Sequence, residues 1–193
     1  MLSLEESLKI LKETNALLEG HFILSSGLHS PQYVQCAQLM SKPEKAQQIC
    51  QSLAKKIKNA FSHIDLILSP AMGGVVIGYE IGRLLKKETI FSERVNGVFK
   101  LRRDFLIKKN QKVLIIEDVI TTGKSSLECS KLVLENQAMV IGYACLIDRS
   151  NGKSFIKGKI ISQVELNIPT YNQNNIPDDL LSITAVKPGS RSL

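Results

Sequence analysis

The chain has 193 residues, of which 44% are apolar, enough for one domain with a sizeable core. No apolar run approaches the ~20 residues of a membrane span, and the first residues are acidic and amphipathic, unlike a secretory signal, so we expect a cytoplasmic protein. The four cysteines lack C-x-x-C spacing, which favours reduced thiols and argues against a metal site.

The net charge of +7 has three possible explanations: a nucleic-acid partner, a solvated basic surface, or a site for anionic substrates. Lysine and arginine are scattered, with no tract of five or more, which favours the last two. We therefore expect no nucleic-acid partner and no membrane partner.

The N-terminal part of the chain predicts a helix followed by a strand pair. Residues 3–18 have capping-box spacing at Ser3 and Glu6, and Gly20 ends the helical pattern. In residues 20–37, glycines, serines and two histidines interrupt an apolar alternation, which favours a hairpin or a looped strand pair.

A second helix and a strand follow. Ser41 and Glu44 form another capping box, with Pro43 in the first turn. The predicted buried face of this helix contains Ala46, Ile49, Cys50, Leu53 and Ile57. Residues 64–68 predict a strand, and the glycines at 73–74 open a helix, so free backbone N–H groups are expected where that strand ends.

Residues 89–101 predict a β-hairpin on an Asn96-Gly97 turn, and a basic hairpin of this kind usually presents a solvated face. Further predicted elements are the strand 113–116, the helix 124–135, the strands 138–147 and 160–166, and a short helix near Pro177.

The alternation of strand and helix from 43 to 147 predicts an α/β fold: a parallel sheet with helices on both faces. We expect one domain over residues 1–193. Its core would span 41–164, and residues 1–40 and about 165–193 would form a small hood over the carboxyl edge of the sheet.

The most informative stretch is VLIIEDVITTGKS, residues 113–125. A buried strand is followed by the carboxylates Glu117 and Asp118, and then by a hydroxyl-rich turn that opens a helix. Such a turn offers backbone N–H groups to a phosphate, and the helix dipole favours negative charge there. The carboxylates suit sugar hydroxyls or Mg²⁺ held through water. Together they favour a phosphorylated sugar over a nucleoside triphosphate.

A nucleotide-binding P-loop is the competing interpretation, because Gly123, Lys124 and Ser125 match the end of G-x-x-x-x-G-K-[ST]. That motif requires glycine at position 118, where this chain has Asp118. The P-loop is therefore rejected.

The segment EDVITTGKS resembles the phosphoribosyl pyrophosphate signature of phosphoribosyltransferases. A second segment is similar to orotate phosphoribosyltransferases, whose N-terminal motif G-x-F-x-L-x-S-G-x-x-S-x-x-Y covers the orotate pocket. The matching residues are Gly20, Phe22, Leu24, Ser26, Gly27, Ser30 and Tyr33. Many members of the family carry lysine where this chain has Ser25. The tail VKPGSR, residues 186–191, resembles one bacterial subgroup.

The resemblance implies the site residues. Glu117, Asp118 and Lys100 are the expected catalytic residues. Those expected to bind 5-phosphoribosyl 1-pyrophosphate (PRPP) are Glu117, Asp118, Val119, Ile120, Thr121, Thr122, Gly123, Lys124, Ser125, Arg94, Arg102, Arg103, Met72 and Gly73. Those expected to bind orotate are Thr121, Arg149 in the D-R-S-x-G turn, Phe22 and Ser26. A cis peptide bond is expected between Ala71 and Met72.

The resemblance also implies the activity: Mg²⁺-dependent transfer of ribose 5-phosphate from PRPP to orotate in pyrimidine synthesis. Mg²⁺ would be held through the substrate pyrophosphate and waters near Glu117 and Asp118, with no direct protein ligand. The hairpin 94–105 would be a mobile loop shared across a homodimer. The alternatives are a purine phosphoribosyltransferase and a non-catalytic PRPP-binding regulator of nucleic acid.

Overall fold

The computed structural model describes residues 1–188 and consists of eight strands, six α-helices and one 3₁₀ helix. The helices are α1 (Leu4–Glu13), α2 (Cys36–Met40), α3 (Pro43–Ala60), α4 (Gly73–Leu85), α5 (Lys124–Glu135), α6 (Asp178–Leu181) and the 3₁₀ helix Gln173–Asn175. The strands are β1 (Leu17–Ile23), β2 (His29–Val34), β3 (Leu66–Pro70), β4 (Glu88–Val95), β5 (Val98–Leu101), β6 (Lys112–Ile120), β7 (Met139–Asp148) and β8 (Ile160–Glu165). Within residues 1–188 no helix combines the length and the apolar character that a bilayer crossing needs.

The central sheet has six strands in the order β5-β4-β3-β6-β7-β8, and every neighbouring pair except β4–β5 is parallel. Crossover helices between parallel strands cover both of its faces. One core cluster packs α1, α2, α3 and α4 against one face of the sheet. The other packs α5 against the opposite face and includes side chains of β4 and β5. The predicted fold class is confirmed.

Several predicted elements agree closely with the structure. Helix α5 has the predicted bounds, and the predicted buried face of α3 is buried throughout. The hairpin turns at Asn96 and Gly97, whose φ angles are +52° and +81°. The Asn-Gly pair suits this turn because both central residues need positive φ.

The first predicted helix was too long. Helix α1 ends at Glu13, Thr14 is its C-cap, and Asn15 has a φ of +58°. The left-handed residue stops the helix, and Leu18 lies instead in β1, paired with Tyr33 of β2. The Ser3–Glu6 capping box is present.

The second predicted capping box was wrong. Ser41 is the C-cap of α2, which the sequence had not suggested, and its hydroxyl donates to the Gln38 carbonyl. Lys42 is the N-cap of α3 and makes no side-chain cap. Pro43 does occupy the first turn of α3, as predicted. Strand β3 begins at Leu66, two residues later than expected, and ends at Pro70.

A small antiparallel sheet, β1–β2, lies outside the central sheet. It is joined by the C-terminal segment through bridges from Phe22 to Val186 and from His29 to Tyr171. The assignment of a hood stays a prediction, and its residues 189–193 lie outside the described part of the chain. The predicted boundary at residue 40 assigned α1 to the hood. In the structure, Ile10 and Leu11 of α1 belong to the main core.

Candidate active site

Part of the predicted site lies where β3, β6 and β7 end side by side: Met72 and Gly73 follow β3, residues 117–125 end β6 and begin α5, and Arg149 follows β7. These three strands are neighbours and parallel, so their carboxyl ends share one edge of the sheet. The pairing of β3 with β6 stops at Leu68 and Ile115, although both strands continue. The first turn of α4 lies at this divergence: a Cβ built on Gly74 would be 3.2 Å from the Ile116 carbonyl oxygen. The strand ends therefore frame a crevice, the usual ligand position in open α/β sheets.

The acidic pair lies within β6, which continues to Ile120, past the end of the apolar run. Because neighbouring side chains of a strand point to opposite faces, Glu117 and Asp118 are divided between two helices. Glu117 accepts a hydrogen bond from Ser126 of α5. The Asp118 carboxylate lies over the start of α4, where a Cβ on Gly73 would be 2.6 Å from Oδ2.

Burial shifts both carboxylates toward the neutral form. Desolvation raises the pKa of Glu117 to about 7, and the Ser126 hydroxyl and the charge of Arg94 oppose it only in part. Desolvation also raises the pKa of Asp118, against hydrogen bonds from backbone N–H groups. A neighbouring cation, such as a charged sugar or a bound metal ion, would favour their ionised forms.

The turn between β6 and α5 has the form of a phosphate site. Thr121 and Thr122 are exposed, and Gly123, the N-cap of α5, has no side chain with which to cap the helix. The Lys124 N–H makes only a long bond of 3.4 Å to the Thr122 hydroxyl. Gly123 has a φ of +77°, and a Cβ there would lie 2.7 Å from Ile156 Cγ1, so glycine is required on both grounds. The open helix start leaves its backbone N–H groups available to an anion.

A second turn of the same kind follows β3. The peptide bond between Ala71 and Met72 is cis, as the resemblance implied. Gly73 is exposed and begins α4, which also has no side-chain cap. Two uncapped helix N-termini therefore lie at neighbouring strand ends, and both suit phosphate oxygens.

Two of the four predicted cations of the hairpin segment form ion pairs with carboxylates of the same chain. Arg94 forms an ion pair of 2.6 Å with Glu128 of α5 and stacks 4.1 Å above the Phe99 ring. Arg103 forms two hydrogen bonds with Glu93, of 3.1 and 3.0 Å. Lys100 and Arg102 are exposed. The predicted contacts of these four cations with PRPP stay predictions.

Arg149 follows β7 and is partly buried, and its backbone N–H donates to the Ile120 carbonyl at 2.8 Å. Burial lowers its pKa, and the Tyr33 phenol partly opposes this. The Nε atom of Arg149 is buried and has no hydrogen-bond partner within residues 1–188. A guanidinium N–H without a partner suits a carboxylate ligand.

The predicted orotate residues of the hood are in different situations. Phe22 is buried, and its ring centroid lies 5.8 Å from that of Tyr33. Ser26 is exposed in the β1–β2 turn, and its hydroxyl oxygen accepts a weak bond of 3.4 Å from the Leu28 N–H.

Sequence reasoning missed two supports of the site. One is Ser126, the partner of Glu117. The other is the segment after Arg149, in which the Phe155 N–H donates to the Thr122 carbonyl at 2.9 Å and Ile156 packs against Gly123. A serine in the first turn of the predicted helix 124–135 was the available signal for the first. The second depends on a long-range contact with no local pattern.

Comparison with known proteins agrees with this geometry. Residues 36–177 match the model of the phosphoribosyl transferase domain family. An orotate phosphoribosyltransferase from Rhizorhabdus wittichii is 46% identical over 97% of this chain and 96% of that protein. One from Parvibaculum lavamentivorans is 44% identical over 98% of each.

Solved structures share the fold at low identity. The crystal structure of orotate phosphoribosyltransferase from Aeropyrum pernix has a TM-score of 0.72 at 22% identity, covering 82% of this chain and 92% of that one. Adenine phosphoribosyltransferase from Thermoanaerobacter pseudethanolicus has a TM-score of 0.62 at 18% identity, covering 70% and 88%. The fold is therefore common to enzymes for different bases and does not itself select one.

Proposed function

The chain belongs to the orotate phosphoribosyltransferase family, and we propose that it transfers ribose 5-phosphate from PRPP to orotate. The products are orotidine 5′-monophosphate and pyrophosphate, and the reaction serves pyrimidine (UMP) synthesis. The observation that carries the proposal is the acidic pair and hydroxyl-rich turn on one strand end, with Arg149 on the next. The near-full-length relatives support the choice of orotate.

The donor would bind across the two helix N-termini. The 121–125 turn would take the 5′-phosphate, and the turn at Met72 and Gly73 would take the pyrophosphate. Asp118 lies next to Gly73. It would face the hydroxyls of the ribose, which would lie between the two turns. Lys100, Arg102 and Arg103 would approach the pyrophosphate when the hairpin closes over it, which requires Arg103 to exchange Glu93 for phosphate oxygens.

The reaction needs no protein nucleophile. As pyrophosphate leaves the anomeric carbon, positive charge builds on the ribose ring, as in glycoside hydrolysis. The ionised carboxylates of Glu117 and Asp118 would stabilise that charge, and the orotate nitrogen would attack from the opposite face. Arg and Lys donors would stabilise the departing pyrophosphate. Closure of the hairpin would exclude water, which would otherwise hydrolyse the donor.

The residues of the site fit Mg²⁺ held mainly by substrate. Mg²⁺ usually keeps several waters and uses one or two carboxylates plus phosphate oxygens. The Asp118 carboxylate lies beside the pyrophosphate turn, where it would hold the waters of an ion bound to the pyrophosphate. The bound ion would neutralise charge on the pyrophosphate.

Arg149 would determine the choice of base. Its buried, unpartnered Nε–H suits the orotate carboxylate, which adenine, guanine and hypoxanthine lack. Thr121 would hold the ring, and Phe22 and Ser26 of β1 and its turn would cover it. A purine would leave Arg149 without a counter-charge, at a cost to binding.

A cytoplasmic homodimer is the proposed form of the enzyme. All four cysteines are free and buried, in keeping with a reducing compartment. Helix α4 presents a stripe of two exposed apolar side chains, Val76 and Tyr79, which are 52% and 67% exposed. A second copy covering this stripe would remove apolar surface from water and bring the hairpin 94–105 close to its site.

A pyrophosphate-release assay tests the proposal. Purified protein with PRPP and Mg²⁺ should release pyrophosphate with orotate and not with adenine, guanine or hypoxanthine. Release with a purine alone would instead identify a purine enzyme. No release with any base, together with RNA or DNA binding that weakens steeply with salt, would identify a regulator. Size-exclusion chromatography with light scattering tests the dimer, and a monomer at assay concentration would contradict it.

A further inference from the structure

The hydroxyl of Ser126 is used in an unusual way for a buried helical serine. Ser126 is the third residue of α5 and is 0% exposed, on the face that also carries Cys129, Ser130 and Val133. Its Oγ–H donates to Oε2 of Glu117 across the interface between α5 and β6. A buried serine in a helix commonly donates to the carbonyl four residues earlier, and this one does not.

Ser130, one turn later on the same face, shows the ordinary pattern. It is 7% exposed, its hydroxyl is 2.9 Å from the Ser126 carbonyl oxygen, and it is 2.8 Å from the Tyr143 hydroxyl. These bonds hold the helix to itself and to β7. The two serines therefore share burial, helix and face, and differ in whether they touch the acidic pair.

The two carboxylates are also supported differently. For Asp118, the groups that oppose the rise in pKa caused by burial are backbone N–H groups, its own and that of Val119, and not side chains. Glu117 has a longer side chain with more rotamers and accepts its hydrogen bond from the side chain of Ser126. The Ser125 hydroxyl also lowers the pKa of Glu117, but less than the Ser126 hydroxyl does, so the orientation of Glu117 depends chiefly on Ser126.

We propose that Ser126 is a positioning residue for the transfer reaction, holding the Glu117 carboxylate toward the reacting ribose. The proposal rests on the proposed function. A hydroxyl that donates to a carboxylate favours its charged form and fixes its direction, and both matter where positive charge develops. Ser126 stands in the first turn of the helix that would bind the 5′-phosphate. Helix α5 would therefore position both the 5′-phosphate and the Glu117 carboxylate. It would in this way set the distance between the ribose and Glu117.

The test compares Ser126→Ala with Ser126→Thr and with Ser130→Ala as the matched control. Pyrophosphate release is measured at saturating and limiting concentrations of PRPP and orotate, and thermal unfolding is measured for each variant. Ser126→Ala is expected to lower kcat at least about tenfold with the KM for orotate changed less than about threefold, in keeping with the loss of one hydrogen bond to a charged group. Ser126→Thr keeps the hydroxyl and should restore most of kcat. Ser130→Ala should keep the wild-type kcat even where it lowers the unfolding temperature.

A double-mutant cycle separates positioning from packing. If Ser126 acts through Glu117, Ser126→Ala should have little further effect on kcat in a Glu117→Gln background. Equal losses in both backgrounds, or a Ser126→Ala enzyme with wild-type kcat, would overturn the proposal. Wild-type activity with orotate is measured in the same series. An inactive wild-type protein would therefore count against the proposed function, whereas active wild type with unaffected Ser126→Ala counts against Ser126 alone.

Discussion

Gly73 offers the sharpest test of the donor site, because alanine there should damage catalysis without unfolding the protein. An added Cβ would lie 2.6 Å from Asp118 Oδ2 and 2.8 Å from its Cγ, whereas ordinary contacts begin near 3.4 Å. The carboxylate must therefore retreat by about 0.8 Å. A displacement of about 1 Å at a reacting centre can cost about a hundredfold in rate, so Gly73→Ala should lower kcat/KM for PRPP by about ten- to a hundredfold.

Stability should behave differently. Gly73 is the first residue of α4 and its φ is not in the left-handed region, so alanine suits its backbone. Replacing a helical glycine by alanine gains about 0.5–1 kcal/mol, which offsets part of the cost of moving Asp118. We expect the free energy of unfolding to stay within about 1 kcal/mol of wild type.

Gly82→Ala is the matched control on the same helix. Its Cβ would lie 1.8 Å from Thr89 Oγ1 and 3.1 Å from the Lys87 carbonyl oxygen, away from the acidic pair. It should lose about 1–3 kcal/mol of stability through overpacking and keep kcat/KM. The assays are initial-rate kinetics and denaturant unfolding. If Gly73→Ala retains wild-type kcat/KM, catalysis does not depend on the position of the Asp118 carboxylate beside Gly73, and the prediction is wrong.

Three further predictions follow from other parts of the site. Arg149→Ala should raise the KM for orotate at least about tenfold more than that for PRPP, because only orotate loses its counter-charge; equal increases in steady-state kinetics would contradict the assignment. The pKa of Glu117 is raised from 4.5 to about 7 on folding, so its contribution to stability is full below about pH 4.5 and is lost as pH rises to about 7. Relative to Glu117→Gln, wild type should lose about 2–3 kcal/mol of unfolding free energy between pH 5 and 8. The free energies are measured by urea titration at each pH, and the same pH dependence for both proteins would contradict the raised pKa of Glu117. Protease cleavage in residues 94–105 should slow when PRPP analogue, orotate and Mg²⁺ are added together, because hairpin closure buries the segment, and an unchanged rate would indicate a static surface.

Local patterns predicted the elements whose signals had no competitor. The Asn96-Gly97 pair fixed one hairpin, and the change from Gly123 to a helical pattern fixed the start of α5. The prediction of a capping box at Ser41 was wrong because two helix ends meet there. Ser41 ends the short helix α2, and α3 begins one residue later than the capping box requires. The first helix was extended through Asn15 because leucines continued on both sides of its stop signal.

The sequence named candidate site residues, but it did not indicate which other residues they would contact. The apolar run ended at Ile116, so the carboxylates were assigned to the strand end, although β6 continues and turns Glu117 and Asp118 to opposite faces. The pair Arg94–Glu128 joins two elements that are distant in sequence, and the pair Arg103–Glu93 depends on how the hairpin folds back; neither pair has a local sequence pattern. Such pairings are set by tertiary packing, which a single sequence does not display.

The early end of the β3–β6 ladder has a bearing on how the molecule responds to its donor. Strands β3 and β6 pair at three positions, whereas β6 and β7 pair at eight. The sheet is therefore held together less strongly between β3 and β6, directly beneath the crevice, than between β6 and β7. PRPP bound in the crevice would contact both halves of the sheet and hold them together. Occupancy would then slow amide exchange in the middle of the fold as well as at the rim where the ligand lies.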